Sequence, residues 1–128
     1  MVAWNEYKSH ASERGALALE LFVVQSTPAG DAEAVKSALS DHLDYQRKLE
    51  QAGTLVLAGP VSDESGENML GAGQIIYRAA SMGDARALAE NDPMHLAGAR
   101  KFTLRKWLVN EGSLTVSVGL STGHVTMR

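Results

Sequence analysis

Two ionisable side chains, His42 and Asp92, stand where the sequence predicts an inward-facing position. The residues at helical spacing around His42 are mostly apolar, namely Val35, Ala38, Leu39, Tyr45, Gln46 and Leu49. The imidazole therefore projects from the inward stripe of a helix. Histidine is suited to take up and return protons because its ordinary pKa is ~6.5. A catalytic base and a core histidine bonded to a backbone carbonyl are both consistent with this position.

Asp92 precedes Pro93 and extends the inward face of a second predicted helix. Asp-Pro is typical of the start of a helical turn, with Asp as N-cap and Pro at the first helical position. A carboxylate here is also the kind of group that holds a histidine ring in orientation and favours its charged form. Both interpretations stay open, because sequence alone does not show whether Asp92 and His42 meet.

The sequence offers two further candidate sites, one for a metal ion and one for a phosphate group. His95 follows Asp92 by three residues, so a helical turn would let both chelate one metal ion together with His42. The spacing lacks a tight metal motif, and we expect no metal. The glycine-rich segment 66–74 lacks the Lys and Ser/Thr of a phosphate loop and precedes a strand. We expect a hairpin turn there and no cofactor.

Hydrophobic periodicity predicts the elements that position these residues. The pattern indicates strands over 17–25, 54–61, 73–79 and 101–109, a helix from the N-cap Asp31 to about Ala52, a helix opened by a capping box at Ser81 and Asp84, and a fifth strand over 114–120. The order strand, helix, strand, strand, helix, strand is the split βαβ pattern of an α+β, ferredoxin-like βαββαβ fold with an antiparallel sheet. Right-handed crossovers place both helices on one face of that sheet.

The opposite sheet face then lacks a helical cover. Because large exposed apolar patches mark interfaces and most homo-oligomers are twofold, we expect a homodimer. The alternative is that the N-terminal arm, 1–15, and the C-terminal strand fold over this face. We expect a single domain over 1–128, with a core over 16–110 and a strand extension over 111–128. Trp4 and Tyr7 should anchor the arm on the protein body, where His10 or Arg14 could approach a pocket entrance.

Composition limits the classes of function. The chain of 128 residues has no cysteine, which excludes zinc–cysteine sites, thiol nucleophiles and disulfides. A net charge of −3 gives no basic surplus for nucleic acid. No apolar run approaches the ~18 residues of a membrane span, and the polar N-terminus lacks a secretory signal. We therefore expect a cytoplasmic protein that binds neither nucleic acid nor membrane.

Four short segments occur in a characteristic order and spacing. They are His42-Leu43-Asp44-Tyr45, then Gln51-Ala52-Gly53-Thr54-Leu55, Leu57-Ala58-Gly59-Pro60-Val61, and Ala89-Glu90-Asn91-Asp92-Pro93-Met94 with Ala97-Gly98. Together they resemble the YciI-like (YCII-related) family of small dimeric α/β-barrel proteins. The resemblance implies a ferredoxin-like fold that pairs its sheets across a dimer, and an active site made by a histidine–aspartate pair. That pair falls on His42 and Asp92.

The family is also similar to a dehydrochlorinase that converts a chlorinated hydroxyhydroquinone to a quinone, and more distantly to muconolactone isomerase-like proteins. We therefore expect a lyase or isomerase that uses the His–Asp pair for general acid/base chemistry on a small cyclic or aromatic substrate, without a cofactor. A non-catalytic module that binds or senses a metabolite on the same fold is the alternative. The residues expected to contact substrate are Tyr45, Gly59, Pro60, Met94 and His95.

Overall fold

The structure, a computed structural model, describes residues 1–128. The helices are α1 (Trp4–Glu13), α2 (Ala32–Gln51), α3 (Met82–Glu90) and α4 (Pro93–Leu96), and the strands are β1 (Leu19–Pro28), β2 (Leu55–Pro60), β3 (Gly73–Tyr77), β4 (Arg100–Val109), β5 (Val116–Val118) and β6 (Val125–Met127). Contacts divide the chain into a central unit, Glu20–Trp107, and a terminal unit, Met1–Leu19 with Leu108–Arg128. None of the helices combines the length and the apolar composition that crossing a bilayer requires.

The central unit is built on a four-stranded antiparallel sheet in the order β2-β3-β1-β4. In the register of β1 with β3, Phe22 lies opposite Tyr77 and Val24 lies opposite Ile75. The position of β1 between two neighbours explains why its sequence is apolar on both faces. The α+β, ferredoxin-like architecture predicted from the element order is confirmed.

The main core lies between one face of the sheet and α3. Its buried members are Phe22, Val24, Ile75, Tyr77, Ala85, Ala89 and Leu104. A second, smaller cluster joins α2 to α4 through Ala38, Met94 and Ala99. Because the fully buried residues of α3 are alanines, this helix can lie close to the sheet. The contact between Met94 and Ala38 holds α4 against α2.

The predicted helix boundaries follow capping chemistry. The Asp31 side chain accepts from the Ala34 N–H at 2.8 Å at the start of α2, and Gly53, with φ +76°, follows its end. At the start of α3 the Ser81 hydroxyl accepts from the Asp84 N–H at 3.1 Å. These bonds satisfy N–H groups that the first helical turn leaves without a partner, so both predicted N-caps are confirmed.

The first strand differs from its predicted range of 17–25. It begins at Leu19, because Ala18 adopts φ +50°, a left-handed conformation that interrupts extended backbone. It continues to Pro28, which brings Ser26 onto the inward face after Phe22 and Val24. The strand predicted over 73–79 ends earlier than expected, at Tyr77.

The terminal unit contains α1 and a β-hairpin. Ala11 is the buried residue of α1, while Tyr7, His10 and Arg14 are exposed. The strand predicted over 114–120 forms only over Val116–Val118, and it pairs with β6, which the sequence analysis did not anticipate. A turn between Gly119 and Gly123 separates the two strands, with Gly123 at φ +70°.

Large apolar side chains remain exposed in both units. In the central unit Leu57 is 58% and Trp107 is 43% exposed, and both belong to the sheet face that points away from the core. In the hairpin of the terminal unit the exposed side chains are Leu114, Val116, Val118, Leu120, Val125 and Met127. The homodimer and the single-domain organisation stay predictions.

Replacing Ser81 by alanine should lower the free energy of unfolding by about 1 kcal/mol, because the first turn of α3 loses its cap. The matched control is Ser37→Ala, the same exchange at an exposed position inside α2. There the higher helix propensity of alanine should leave stability equal or slightly raised. Urea denaturation of both variants checks this, and equal effects would contradict the capping role.

Candidate active site

His42 and Asp92 are 50 positions apart in sequence and meet in the structure. His42 Nδ1 lies 2.8 Å from Asp92 Oδ1 and 2.9 Å from Oδ2. A carboxylate only accepts hydrogen bonds, so the Nδ1–H of the ring donates to it. In the neutral imidazole the lone pair is then on Nε2. The contact therefore fixes both the ring orientation and the tautomer of His42.

Asp92 is completely buried and is also the N-cap of α4. Its Oδ1 accepts from the Met94 N–H at 2.9 Å, in addition to the bond from His42. The two interpretations of Asp92 left open by the sequence, helix cap and histidine partner, are thus realised by one carboxylate. Burial of this charge is tolerable because hydrogen bonds from both sides replace its hydration.

The free edge of His42 borders a cavity of about 520 Å³, called here the His42 cavity. The His42 side chain is 16% exposed, and its Nε2 has no hydrogen-bond partner within the protein. This volume is in the range of small-molecule sites. A molecule bound in the cavity would therefore meet an imidazole nitrogen able to accept a proton.

The His42 cavity has an apolar wall with a few polar groups. It is lined by Ser26, Val35, Leu39, His42, Leu43, Gln46, Ala58, Gly59, Pro60, Met69, Gly71, Ala72, Gly73, Gln74, Ile75, Met94 and Arg100. Aliphatic side chains of α2 face backbone-rich segments of β2 and β3 across it. No aspartate or glutamate lines the cavity, so Arg100 carries the one formal charge among the lining side chains.

Three of the five residues expected to contact substrate, Gly59, Pro60 and Met94, line the His42 cavity. Tyr45 does not belong to the lining, because its hydroxyl donates to the Leu88 carbonyl at 2.7 Å. His95 does not line it either, and the ring packs against Phe102 at a centroid distance of 4.8 Å.

Both nitrogens of His95 have partners away from Asp92. Nδ1 lies 2.7 Å from the Ala89 carbonyl oxygen and Nε2 lies 2.8 Å from the Ser26 hydroxyl. His95 therefore does not join His42 and Asp92 around a common point. No group of three His, Asp or Glu side chains in the structure is placed to hold a metal ion.

Ser26 and Arg100, two polar residues of the lining that bond to each other, were not predicted from the sequence. The Arg100 Nε–H donates to the Ser26 hydroxyl at 2.8 Å, and Nη2 donates to the Ser26 carbonyl at 2.8 Å and to the Gly71 carbonyl. Burial lowers the pKa of Arg100, and the charge of Asp92 opposes that shift. The missed signal was a serine two positions after Val24, on the same inward face of the strand.

Two tyrosines, the half-buried Tyr45 and the fully buried Tyr77, lie in the field of Asp92. Burial raises the pKa of Tyr45, and the negative charge of Asp92 raises it further. The same two causes, with a smaller one from Tyr45, raise the pKa of Tyr77. The Tyr77 hydroxyl has no hydrogen-bond partner within the protein, whereas the Tyr45 hydroxyl does.

Comparison with known proteins found a matching family model and a similar solved structure. The family model of the YCII-related domain matches residues 20–108, which nearly coincide with the central unit. No curated protein matches the sequence. The fold is similar to that of 5-chloro-2-hydroxyhydroquinone dehydrochlorinase from Burkholderia phenoliruptrix AC1100, solved in complex with 2,5-dihydroxybenzoquinone. The TM-score is 0.55 at 22% sequence identity, covering 68% of this chain and 92% of that chain.

Tyr77→Phe should leave the free energy of unfolding at pH 7 unchanged or raise it by about 1 kcal/mol, because it removes a buried hydroxyl without a partner. Tyr45→Phe should lower it by about 1 kcal/mol through loss of the bond to Leu88. The pKa of Tyr77 is raised in the folded state, so as the pH rises through ~10 the hydroxyl loses its proton in the unfolded chain before it does so in the folded protein. Deprotonation then favours the unfolded chain, and the free energy of unfolding of the wild type falls above pH ~10.

Tyr77→Phe should therefore lose less stability than the wild type between pH 9 and pH 11, values chosen to bracket the ordinary tyrosine pKa of ~10. Urea denaturation across this range measures both effects. A Tyr77→Phe protein less stable than Tyr45→Phe at pH 7 would contradict the assignment.

Proposed function

Because the chain belongs to the family of YCII-related domains, we propose that it is an enzyme that moves protons on a small organic molecule bound beside His42. The observation that carries this proposal is the His42–Asp92 contact at the wall of a cavity of ligand size. A histidine held by a buried carboxylate on one nitrogen, with the other nitrogen open to a cavity, is arranged as a general base requires.

Each residue of the pair has its own role. His42 Nε2 accepts a proton from the bound molecule and returns it at a later step. Asp92, which touches the ring and not the cavity, orients the imidazole and holds the tautomer whose Nε2 accepts the proton. The same division of work between a histidine and its buried aspartate occurs in hydrolytic triads.

The likeness to a dehydrochlorinase suggests the reaction class. In a lyase reaction on a chlorinated hydroxyhydroquinone, His42 would move a proton from one hydroxyl to the carbon that bears chlorine. His42 would then remove the proton of a second hydroxyl, whose electrons complete the quinone as chloride leaves with the electron pair of its bond to carbon. In an isomerase reaction His42 would take a proton from one carbon and return it to another. Both reactions use a small cyclic or aromatic substrate and the same acid–base residue. The mostly apolar wall of the His42 cavity suits such a ring.

We propose further that the protein works as a homodimer joined through the outer sheet face. Leu57 and Trp107 on this face are about half exposed, which leaves apolar surface open to water. A second copy offers the same patch, and a twofold axis pairs such patches with each other.

Sedimentation velocity at micromolar concentration should find a dimer for the wild type. Leu57→Glu should shift it to monomer, because the new charge would be buried in the interface. Leu70→Glu, the same exchange at a loop position that is 72% exposed, should remain dimeric. A monomeric wild type would contradict the dimer.

His42→Asn tests the catalytic role more sharply than alanine. Its amide can still donate to Asp92, so the buried carboxylate keeps a partner, while the nitrogen that faces the cavity is lost. We expect kcat on the substrate found in a panel of hydroxylated and chlorinated aromatics to fall by roughly 10²–10⁴-fold.

The control for this variant is His124→Asn, the same exchange at an exposed position of the hairpin, which should retain full activity. Undiminished turnover by His42→Asn would refute the general base. Saturable binding across the panel without turnover by the wild type would instead identify a metabolite-binding module.

A further inference from the structure

Arg100 is the one charged side chain that lines the His42 cavity, and its position is fixed from three directions. Nε donates to the Ser26 hydroxyl, while Nη2 donates to the carbonyls of Ser26 and Gly71. An arginine tied to two backbone carbonyls cannot swing into solvent without leaving those acceptors unsatisfied. The guanidinium is therefore preorganised at the cavity wall.

The bonds of Ser26 are fixed in turn by His95. The Ala89 carbonyl only accepts, so His95 donates from Nδ1, and its neutral ring accepts at Nε2 from the Ser26 hydroxyl. The oxygen of that hydroxyl accepts from Arg100 Nε. These three side chains form a connected path from a backbone carbonyl of α3 to the guanidinium.

A count of donors shows what Arg100 has left to offer. A guanidinium carries five N–H groups, of which the Nε–H and both Nη2–H groups are engaged. The two N–H groups of Nη1 have no partner within the protein. Arg100 therefore cannot bind a carboxylate through two of its nitrogens at once, because Nε and Nη2 are occupied. Both free N–H groups belong to Nη1.

No carboxylate lies within salt-bridge distance of the Arg100 guanidinium, and no acidic side chain lines the cavity. Asp92 acts on it through space but is fully buried and already bonded to His42 and Met94. A half-buried cation with free donors and no counter-ion is stabilised by an anionic ligand.

Building on the proposed function, we propose that the His42 cavity selects small organic anions, and that Arg100 Nη1 donates to an anionic oxygen on a planar carbon, as in a phenolate, an enolate or a carboxylate. Arg100 is then a residue that determines specificity. Ser26 and His95 are positioning residues, because they act only through the guanidinium. An oxygen held at Nη1 would place the rest of the molecule in the cavity that His42 borders.

Equilibrium binding to the whole protein tests this without any assay of turnover. Benzoate and pentafluorophenolate are the anionic probes, and benzamide and pentafluoroanisole are their neutral counterparts. We expect the wild type to bind at least one anion roughly tenfold more tightly than its neutral counterpart, the gain typical of a charge-assisted hydrogen bond. The anion with the larger preference identifies carboxylate or phenolate as the chemical source.

Arg100→Gln should abolish this preference while changing the affinity for the neutral probes by less than about twofold. Lys101→Gln removes the same charge from the next residue of β4, which is exposed and outside the cavity lining, and should keep the preference. If Arg100→Gln does not fold, NMR of the wild type replaces it. The Nε–H signal of Arg100 should then shift on addition of the anion and not of its neutral counterpart.

A wild type with no preference for either anion would overturn the inference, as would an Arg100→Gln protein that keeps the preference. Equal weakening of anionic and neutral probes in Arg100→Gln would also overturn it, because the arginine would then only maintain the cavity. If the proposed catalysis is wrong, the wild type will bind the probes but will turn over no compound of the substrate panel. An anion preference can therefore stand or fall independently of the role of His42.

Discussion

The burial of the Asp92 carboxylate is the constraint on which the rest of the site depends. A fully buried carboxylate is costly unless donors replace its hydration, and here they come from the Met94 N–H and from His42. The first donor belongs to α4 and the second to α2. The carboxylate therefore holds together the two helices whose side chains border the cavity, and the folded state itself fixes the orientation of the histidine ring.

The residues at the single turn of α4 make contacts with different parts of the structure. Asp92 caps it and holds His42, Met94 lies buried against Ala38 and forms part of the cavity wall, and His95 turns to Ser26. Pro93 sets the backbone angle with which such a turn starts. One short segment thereby connects the His42–Asp92 pair with the anchored guanidinium of Arg100.

Periodicity and capping signals predicted the elements well wherever a long apolar stripe or a cap was present, as in α2 between Asp31 and Gly53. The His42–Asp92 pair was predicted from the family resemblance, since no local pattern reports a contact across 50 positions. Ser26 and Arg100 were not predicted as site residues, because Ser26 lies beyond the predicted end of β1 and the bond between the two side chains spans 74 positions. The left-handed conformation of Ala18, which delays the start of β1 to Leu19, is not signalled by an alanine in the sequence either.

Gly71 is a position of the cavity wall that tolerates no side chain, whereas other positions of the wall do. Gly71 has φ +92°, a Cβ there would lie 2.7 Å from Pro28 Cγ, and its carbonyl accepts from Arg100. No side chain can be added at this position without displacing the proline ring or the arginine. Leu39 and Leu43 on α2, by contrast, are nearly half exposed and border the same cavity. As relatives diverge, sequence drift and selection for new ligands should therefore concentrate on these exposed positions of α2, while the glycine and its arginine persist together.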